Sequence, residues 1–168
     1  MSASTGTRIL SHLLLCLFLL AGTAQAQGPA PQWLSDEVYC LARVIYGEAR
    51  DQPEHAQYDV AFSVMNRKRL NRRDFGGNTA CGVAFYPGQY HGVAGKLDDP
   101  WQPKDWDAWF VSLTRAWRVL TVREAPHGTM RDALYYLNPK ISSLTGKKWF
   151  EKLRPLMWSG AHRFYAER

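Results

Sequence analysis

The sequence has little cysteine and histidine. Its 168 residues include 3 cysteines and 5 histidines. The histidines do not show the His-x-x-x-His spacing, or a similar one, that places two metal ligands on one face of a helix. This argues against metal catalysis, and no other cofactor is indicated. There is also no internal repeat and no low-complexity block, so we expect one ordinary domain. The histidines are His12, His55, His91, His127 and His162.

A hydrophobic run long enough to span a membrane is also missing. The apolar run at 13–20 is well short of the roughly 20 residues that a spanning helix needs. Arg8 precedes this run and Ala24-Gln25-Ala26 follows it, which is the order of a secretory signal peptide. We therefore predict a signal peptide over 1–26 and a periplasmic or secreted protein without a stable membrane anchor. A retained anchor is the alternative, whereas Cys16 lies inside the run and does not suggest a lipoprotein.

The mature chain is expected to comprise a flexible lead over 27–34 and a single domain over 35–168. The full sequence has 21 Lys+Arg and 15 Asp+Glu, and Arg8 is the one charged side chain in the signal, so the mature part stays basic. This suits an anionic polymer, and for an exported protein the accessible ones are cell-wall glycopeptide and membrane surface rather than nucleic acid. Improved solubility alone would also explain the charge.

Two cysteines, Cys40 and Cys81, remain after cleavage of the signal. An oxidising compartment allows them to form a disulfide. Closing a loop of about 40 residues would stabilise the fold by about 3–4 kcal/mol on the chain-entropy model. Two buried free thiols are the alternative.

Apolar periodicity predicts three helices. They span about 36–49, with Ser35 as the N-cap, then about 54–70 after Pro53, and about 105–122. We expect the aromatic residues of the third helix, including Trp109, Phe110 and Trp117, to lie in the core. The basic end of the second helix is expected to be solvated.

The segments between and after the helices indicate an irregular region and a small sheet. Residues 71–104 are rich in Gly, Pro, Asn and Asp and predict a long irregular segment of the kind that often forms a binding surface. Short strands are expected at 133–137 and 162–165. The predicted class is α+β, dominated by helices, with a small antiparallel sheet.

Glu48 is the residue best suited to acid catalysis. It lies in the last turn of the first predicted helix, where the helix dipole disfavours negative charge, and it follows Gly47, which leaves room for another backbone or a ligand. A carboxylic acid that stays protonated until it donates to a leaving oxygen is what glycoside cleavage requires. A solvated glutamate beside Arg50 is the alternative on position alone.

The sequence resembles the spore-cortex-lytic, SleB-type cell-wall hydrolases over about 40–165. Six blocks match in the same order: 41–50 (LARVIYGEAR), 66–67 (NR), 81–83 (CGV), 89–90 (QY), 133–138 (ALYYLN) and 160–165 (GAHRFY). Two departures stand beside them. Asp51-Gln52 replaces the Gly-Glu often found after the Ala-Arg pair, and Lys147 replaces an expected proline before Trp149.

This resemblance implies a lysozyme-like domain of the lytic-transglycosylase type that acts on peptidoglycan glycan strands. It implies that Glu48 is the single essential acid and base, and that the products carry 1,6-anhydro-muramic acid ends. Gln89, Tyr90, Tyr136 and Asn138 match its expected substrate-binding positions. Tyr135 should face away from Tyr136 on the strand.

Three further possibilities remain at this point. His162 is expected to be a structural hydrogen-bonding residue. A muramidase that uses water is the alternative enzyme, and it would need a second carboxylate. Asp51 lies too near Glu48 along the chain to face it easily across a sugar, and Glu54 and Asp59 have ordinary surface explanations. The more distant Asp74, Asp98 or Asp99 could approach in space. A non-catalytic peptidoglycan-binding protein is the alternative outside enzymes. The sequence gives no indication of protein partners.

Overall fold

A computed structural model describes residues 32–93, 100–122 and 124–168. The predicted signal peptide and most of the predicted lead lie outside the described residues. Within the described part of the chain, no helix is both long and apolar enough to cross a membrane.

Helix α1, Gln32–Ala49, is the central element and contacts the three helices that follow it. Leu41, Val44 and Ile45 are fully buried, so this helix is surrounded by protein rather than buried along one apolar stripe. It begins at Gln32, which makes the prediction of Ser35 as the N-cap wrong. Ser35 lies inside the first turn, where its hydroxyl donates to the Gln32 carbonyl at 2.7 Å.

Helix α2, Glu54–Leu70, has the predicted bounds. Pro53 stands at its N-cap, and Asn71 ends it in the left-handed conformation at φ 51°, which asparagine tolerates better than most residues. Along its length, α2 buries polar side chains as well as apolar ones, among them Asp59, Asn66 and Arg67.

The region predicted to be irregular, 71–104, contains a 3₁₀ turn at Arg73–Phe75 and a short helix α3 at Ala80–Ala84. Thr79 caps α3 by accepting the Gly82 N–H at 2.9 Å. The predicted Cys40–Cys81 disulfide is confirmed and ties α3 to α1. Residues 94–99 of this region lie outside the described residues.

Helix α4 spans Trp106–Trp117, and a π-helical turn, Arg118–Val122, continues it. Its N-cap is Asp105, whose carboxylate accepts the Ala108 N–H at 3.0 Å. The prediction that all its aromatic residues are core residues was wrong, because Phe110 and Trp117 are 58% and 48% exposed whereas Trp109 is buried. At 100° per residue, positions 110 and 117 lie about a quarter turn from the buried face.

The remaining elements form a three-stranded antiparallel sheet with strand order β1-β3-β2. Strand β1 is Tyr135–Leu137, β2 is Arg154–Ser159 and β3 is His162–Ala166, with helix α5, Leu144–Phe150, between β1 and β2. The predicted α+β class is confirmed. Strand β2 was not predicted, since Pro155 interrupts its pattern; proline is accepted here because β2 is an edge strand.

Candidate active site

A cavity of about 1070 Å³ lies between the end of α1, the 88–92 segment and strand β1. Its volume is just above the roughly 300–1,000 Å³ typical of pockets for drug-sized ligands. Glu48, Gln89, Tyr136 and Asn138 all line it. The structure thus brings together four of the five residues that the sequence predicts for catalysis and substrate binding.

Glu48 lies half-buried in the last turn of α1, in the wall of this cavity. Its Oε1 accepts a hydrogen bond from the backbone N–H of Gly92 at 2.6 Å. The carboxyl group therefore has a fixed donor on one oxygen, supplied by a loop that is 44 residues away in sequence.

Two glycines allow that loop to approach α1. A Cβ atom added to Gly47 would lie 2.4 Å from the Gly92 carbonyl oxygen, and one added to Gly92 would lie 2.3 Å from the Gly47 carbonyl carbon. Real Cβ atoms are essentially never that close to a backbone atom. The backbone-to-backbone contact that brings the Gly92 N–H to Glu48 thus requires glycine on both sides.

Tyr136 lies close enough to Glu48 for the two groups to interact electrostatically. It packs against Tyr90 at a centroid distance of 6.4 Å, against His162 at 5.0 Å and against Phe164 at 5.5 Å. Burial and the nearby charge of Glu48 raise the pKa of the Tyr136 hydroxyl well above its ordinary range. Tyr136 is therefore a neutral phenol, able to donate but carrying no charge that would repel a carboxylate.

His162 also lines the cavity, on strand β3. Burial lowers its pKa, and Asp51 opposes that effect. Its Nδ1 is buried and has no hydrogen-bond partner among the described residues. The expected structural hydrogen bond of His162 is thus not found at this nitrogen, and the ring packs on Tyr136 instead.

Gln89 is oriented by Arg67, a residue whose role the sequence analysis missed. The Arg67 side chain is 4% exposed, and its guanidinium donates to the Gln89 Oε1 at 2.7 Å, the Tyr90 hydroxyl at 3.1 Å and the Leu134 carbonyl at 2.6 Å. Since Oε1 of Gln89 is occupied, its NH₂ group is what Gln89 can offer to a ligand. A carbonyl acceptor, such as that of an acetamido group, suits this donor.

Tyr90 does not line the cavity. It is 6% exposed and belongs to the main core cluster, with its hydroxyl accepting from Arg67 and its ring beside that of Tyr136. The expectation that Tyr90 contacts substrate is therefore not supported. Tyr90 instead packs against the ring of Tyr136 from the core. Its position next to Gln89 in the sequence does not indicate that it is buried.

Asn138 lines the cavity and also closes the turn that follows β1. Its Oδ1 accepts the Lys140 N–H at 3.0 Å, and its carbonyl accepts the Ser142 hydroxyl at 2.7 Å. Tyr135, the strand neighbour expected to face the other way, packs against a different set of rings from Tyr136, namely Phe75 and Trp149. Both tyrosines nevertheless line the cavity.

Two further carboxylates, Asp51 and Asp74, line the cavity. Asp74 is paired with Arg72, whose Nε donates to its Oδ1 at 3.0 Å. Asp51 accepts from the neighbouring Gln52 amide at 3.0 Å and lies three residues after Glu48, in the turn that follows α1. The described residues contain no group of three or more His, Cys, Asp or Glu side chains that could hold a metal ion.

The chain belongs to the Cell Wall Hydrolase family, which it matches over residues 51–165. The match begins three residues after Glu48. It makes the protein an enzyme of cell-wall cleavage and confirms the family resemblance found in the sequence. No curated protein matches the sequence.

Two solved structures are similar to this one. The catalytic domain of the germination-specific lytic transglycosylase SleB from Bacillus anthracis has 24% sequence identity and a TM-score of 0.56, over 82% of this chain and 98% of that domain. The catalytic domain of the Bacillus cereus SleB protein has 25% identity and a TM-score of 0.54, over 78% of this chain and 90% of that one.

Proposed function

We propose that this protein is an exported peptidoglycan lytic transglycosylase in which Glu48 is both the general acid and the general base. The observation that carries the proposal is the placement of Glu48: half-buried in the wall of the large cavity, with one oxygen held at 2.6 Å by the Gly92 N–H. Membership of the Cell Wall Hydrolase family and the fold shared with the Bacillus lytic transglycosylase support it.

In the first step, protonated Glu48 donates to the oxygen that joins C1 of N-acetylmuramic acid to C4 of N-acetylglucosamine, and the bond from C1 to that oxygen breaks. In the second step, the Glu48 carboxylate takes the proton of the muramyl 6-hydroxyl, and O6 bonds to C1. The product is a 1,6-anhydro sugar, and Glu48 is protonated again. The Gly92 N–H supports the carboxylate between the two steps, since hydrogen bonds to ionised groups are stronger than neutral ones.

Three side chains of the cavity would hold the substrate. The Gln89 NH₂ group faces an acceptor on the sugar, since Arg67 occupies its carbonyl oxygen. Tyr136 forms part of the cavity wall near Glu48, with its neutral hydroxyl buried, and Asn138 borders the cavity at the end of β1. Arg67 and Tyr90 are positioning residues behind them.

A muramidase that activates water is the second candidate, because Asp51 lines the same cavity as Glu48. A water-activating carboxylate stands across the sugar from the acid, at about 6.5–9.5 Å from it in inverting enzymes. Asp51 follows Glu48 by only three residues, in the turn after α1, so it lies close to the acid along the chain rather than on a separate segment across the cavity. This favours the mechanism with a single carboxylate.

The export signal is part of the same proposal. Residues 1–26 have the zones of a signal peptide, and a cell-wall substrate lies outside the cytoplasm. The intact mass of protein recovered from the periplasm or the medium is expected to correspond to residues 27–168 with one disulfide. A mass that retains the first 26 residues would contradict cleavage.

Glu48→Gln tests the catalytic assignment. The amide keeps the shape of the side chain but cannot deliver the proton, so solubilisation of purified peptidoglycan should fall by about 10²- to 10⁴-fold. Glu54→Gln is the matched control: Glu54 is exposed and lies outside the cavity lining, and this variant should keep its activity. Equal activity of both variants would remove Glu48 from the mechanism.

Mass spectrometry of the products separates the two enzymes. Anhydro ends are about 18 Da lighter than hydrolysed ends, by the loss of one water. The proposal expects anhydro ends from the wild type and from Asp51→Asn. Reducing ends, together with loss of activity in Asp51→Asn, would identify the water-using muramidase.

A further inference from the structure

The cavity extends well beyond Glu48. At the Glu48 side it is bordered by Gly92, Tyr136 and His162, and elsewhere by aromatic residues that the catalytic proposal leaves unused. These are Phe75, Tyr135, Trp149 and Phe150, and we refer to them as the aromatic corner. Arg67 lies between the two regions, since it contacts Gln89 and Tyr90 on one side and the rings of Phe75 and Tyr135 on the other.

Trp149 is the exposed member of the aromatic corner. Its ring meets that of Tyr135 at a centroid distance of 5.1 Å and that of Phe150 at 5.0 Å, both in edge-to-face geometry. It nevertheless stays 44% exposed and lines the cavity. A tryptophan that is packed against two rings and still exposed has little rotamer freedom left to lose when a ligand covers it.

The ring behind Trp149 is itself fixed. The Tyr135 hydroxyl donates to Glu167 at 3.0 Å, and Glu167 accepts two hydrogen bonds from Arg72 at 2.7 and 2.8 Å. Burial and the hydrogen bond to Glu167 raise the pKa of Tyr135 to about 12. Tyr135 is therefore uncharged, and the aromatic corner presents a rigid and neutral surface.

This surface suits the face of a pyranose ring. The axial C–H groups of a sugar carry a partial positive charge, and the face of an aromatic ring is its negative region. A charged ligand would find less to recognise, because Asp74, the carboxylate at this end of the cavity, already pairs with Arg72. The chemistry of the corner therefore favours the glycan strand over the charged peptide stems.

We propose that Trp149, supported by Tyr135, forms a second sugar-binding subsite at which a pyranose away from the scissile bond stacks. The proposal rests on the proposed function in placing the cleaved bond at Glu48. It adds the residues that bind a sugar remote from the cleaved bond.

Binding is measured with the Glu48→Gln protein, which contains the complete chain but is not expected to turn over substrate. The probe is a soluble oligosaccharide of N-acetylglucosamine, which carries no peptide. Trp149→Ala in this background should weaken binding about 5- to 10-fold, the effect of losing one aromatic contact. Trp149→Phe should recover most of the affinity, since a ring face remains.

Trp158→Ala is the matched control. Trp158 is 55% exposed and lies outside the cavity lining. The Cζ atom of the Arg163 guanidinium lies 5.7 Å from the centroid of its ring. Its replacement should leave affinity unchanged. Thermal unfolding of each variant shows whether the domain is intact, and Trp149→Phe keeps the test informative where Trp149→Ala lowers stability.

Two outcomes would overturn the subsite. One is unchanged affinity in folded Trp149→Ala protein. The other is an effect seen only with peptide-bearing glycan fragments, which would assign the aromatic corner to the stems. These results are independent of turnover, so they differ from failure of the proposed function, which would appear as full activity of Glu48→Gln.

Discussion

Replacement of Gly47 by alanine tests the construction of the site rather than the acid itself. The new methyl group would lie 2.4 Å from the Gly92 carbonyl oxygen, whereas a carbon atom and a carbonyl oxygen approach to about 3.3 Å. The loop must therefore move by about 0.9 Å. Gly92 is the part that yields, since it lies in an exposed loop whereas Gly47 belongs to the central helix.

The favourable and unfavourable contributions of this substitution to the free energy of unfolding partly cancel. Overpacking costs about 1–3 kcal/mol, and weakening the hydrogen bond from Gly92 to Glu48 costs about 1.5–3 kcal/mol at most. Alanine in a helix interior returns about 1 kcal/mol relative to glycine. We expect a net destabilisation of about 1.5–5 kcal/mol, a fall in Tm of about 5–15 °C. Activity should fall about 10²-fold, because a shift near 1 Å at a catalytic group can cost that much.

Thermal unfolding and solubilisation of peptidoglycan measure the two effects on the same samples. Gly92→Ala creates the same collision without the gain in helix propensity, so it should be about 1 kcal/mol less stable than Gly47→Ala and equally inactive. Gly128→Ala is the control for stability: Gly128 has φ +48°, no atom within 4 Å of its added Cβ and no place in the cavity lining. It should lose about 1–2 kcal/mol and keep full activity. Wild-type activity in Gly47→Ala would refute the reasoning, because Glu48 would then not depend on the approach of Gly92.

Two further predictions concern residues around the acid. Arg67→Lys keeps the charge but cannot donate to all the acceptors around Arg67, so urea unfolding should show a free energy of unfolding lower by about 2–4 kcal/mol. The KM should rise as well, because Gln89 loses the group that orients it. Arg69→Lys, at an exposed position of the same helix, should change neither quantity. The pKa of His162 is lowered in the folded state by burial, so this residue contributes stability above about pH 6.5 that is lost as the pH falls towards the folded-state value. Because Asp51 raises that pKa, Asp51→Asn should increase this acid sensitivity, and His162→Gln should remove it; an unchanged pH profile of unfolding in both variants would contradict the assignment.

The sequence was sufficient for features that depend on local chemistry. The bounds of α2 follow from Pro53 and from apolar periodicity, and Glu48 falls in the last turn of α1 as its place in the pattern predicts. The disulfide also followed, because the two cysteines that lie after the predicted signal peptide leave one intramolecular pairing. These features depend on patterns of a few neighbouring residues or on the number of cysteines.

Features that depend on contacts between distant segments could not be predicted in the same way. Arg67 looked like part of a solvated basic helix end, and its burial is visible only once Gln89, Tyr90 and Leu134 are brought to it from 22 or more residues away. Tyr90 looked like a partner of Gln89 at the substrate, whereas packing places it in the core. The exposed face of α4 was not predicted because Trp109 and Phe110 were assigned to the same side of the helix. Consecutive residues are 100° apart around a helix axis, so Trp109 is buried while Phe110 is exposed.

The position of Glu48 and the groups that surround its carboxyl group therefore come from two different parts of the molecule. Helix α1 fixes the position of Glu48, since it is buried on several sides and tied to α3 by the disulfide. The groups that act on the carboxyl group come from elsewhere: the N–H of Gly92 from an exposed loop, and the phenol of Tyr136 from a strand. Arg67 connects these two segments, because it donates to Gln89 and Tyr90, which precede Gly92, and to the carbonyl of Leu134, which lies next to β1. Movement of the 88–92 segment would alter the donor to Glu48 and the orientation of Gln89 together while Glu48 stays in place. Under the proposed function, this segment, rather than α1, is therefore the part of the site through which a bound ligand would affect the Glu48 carboxyl group.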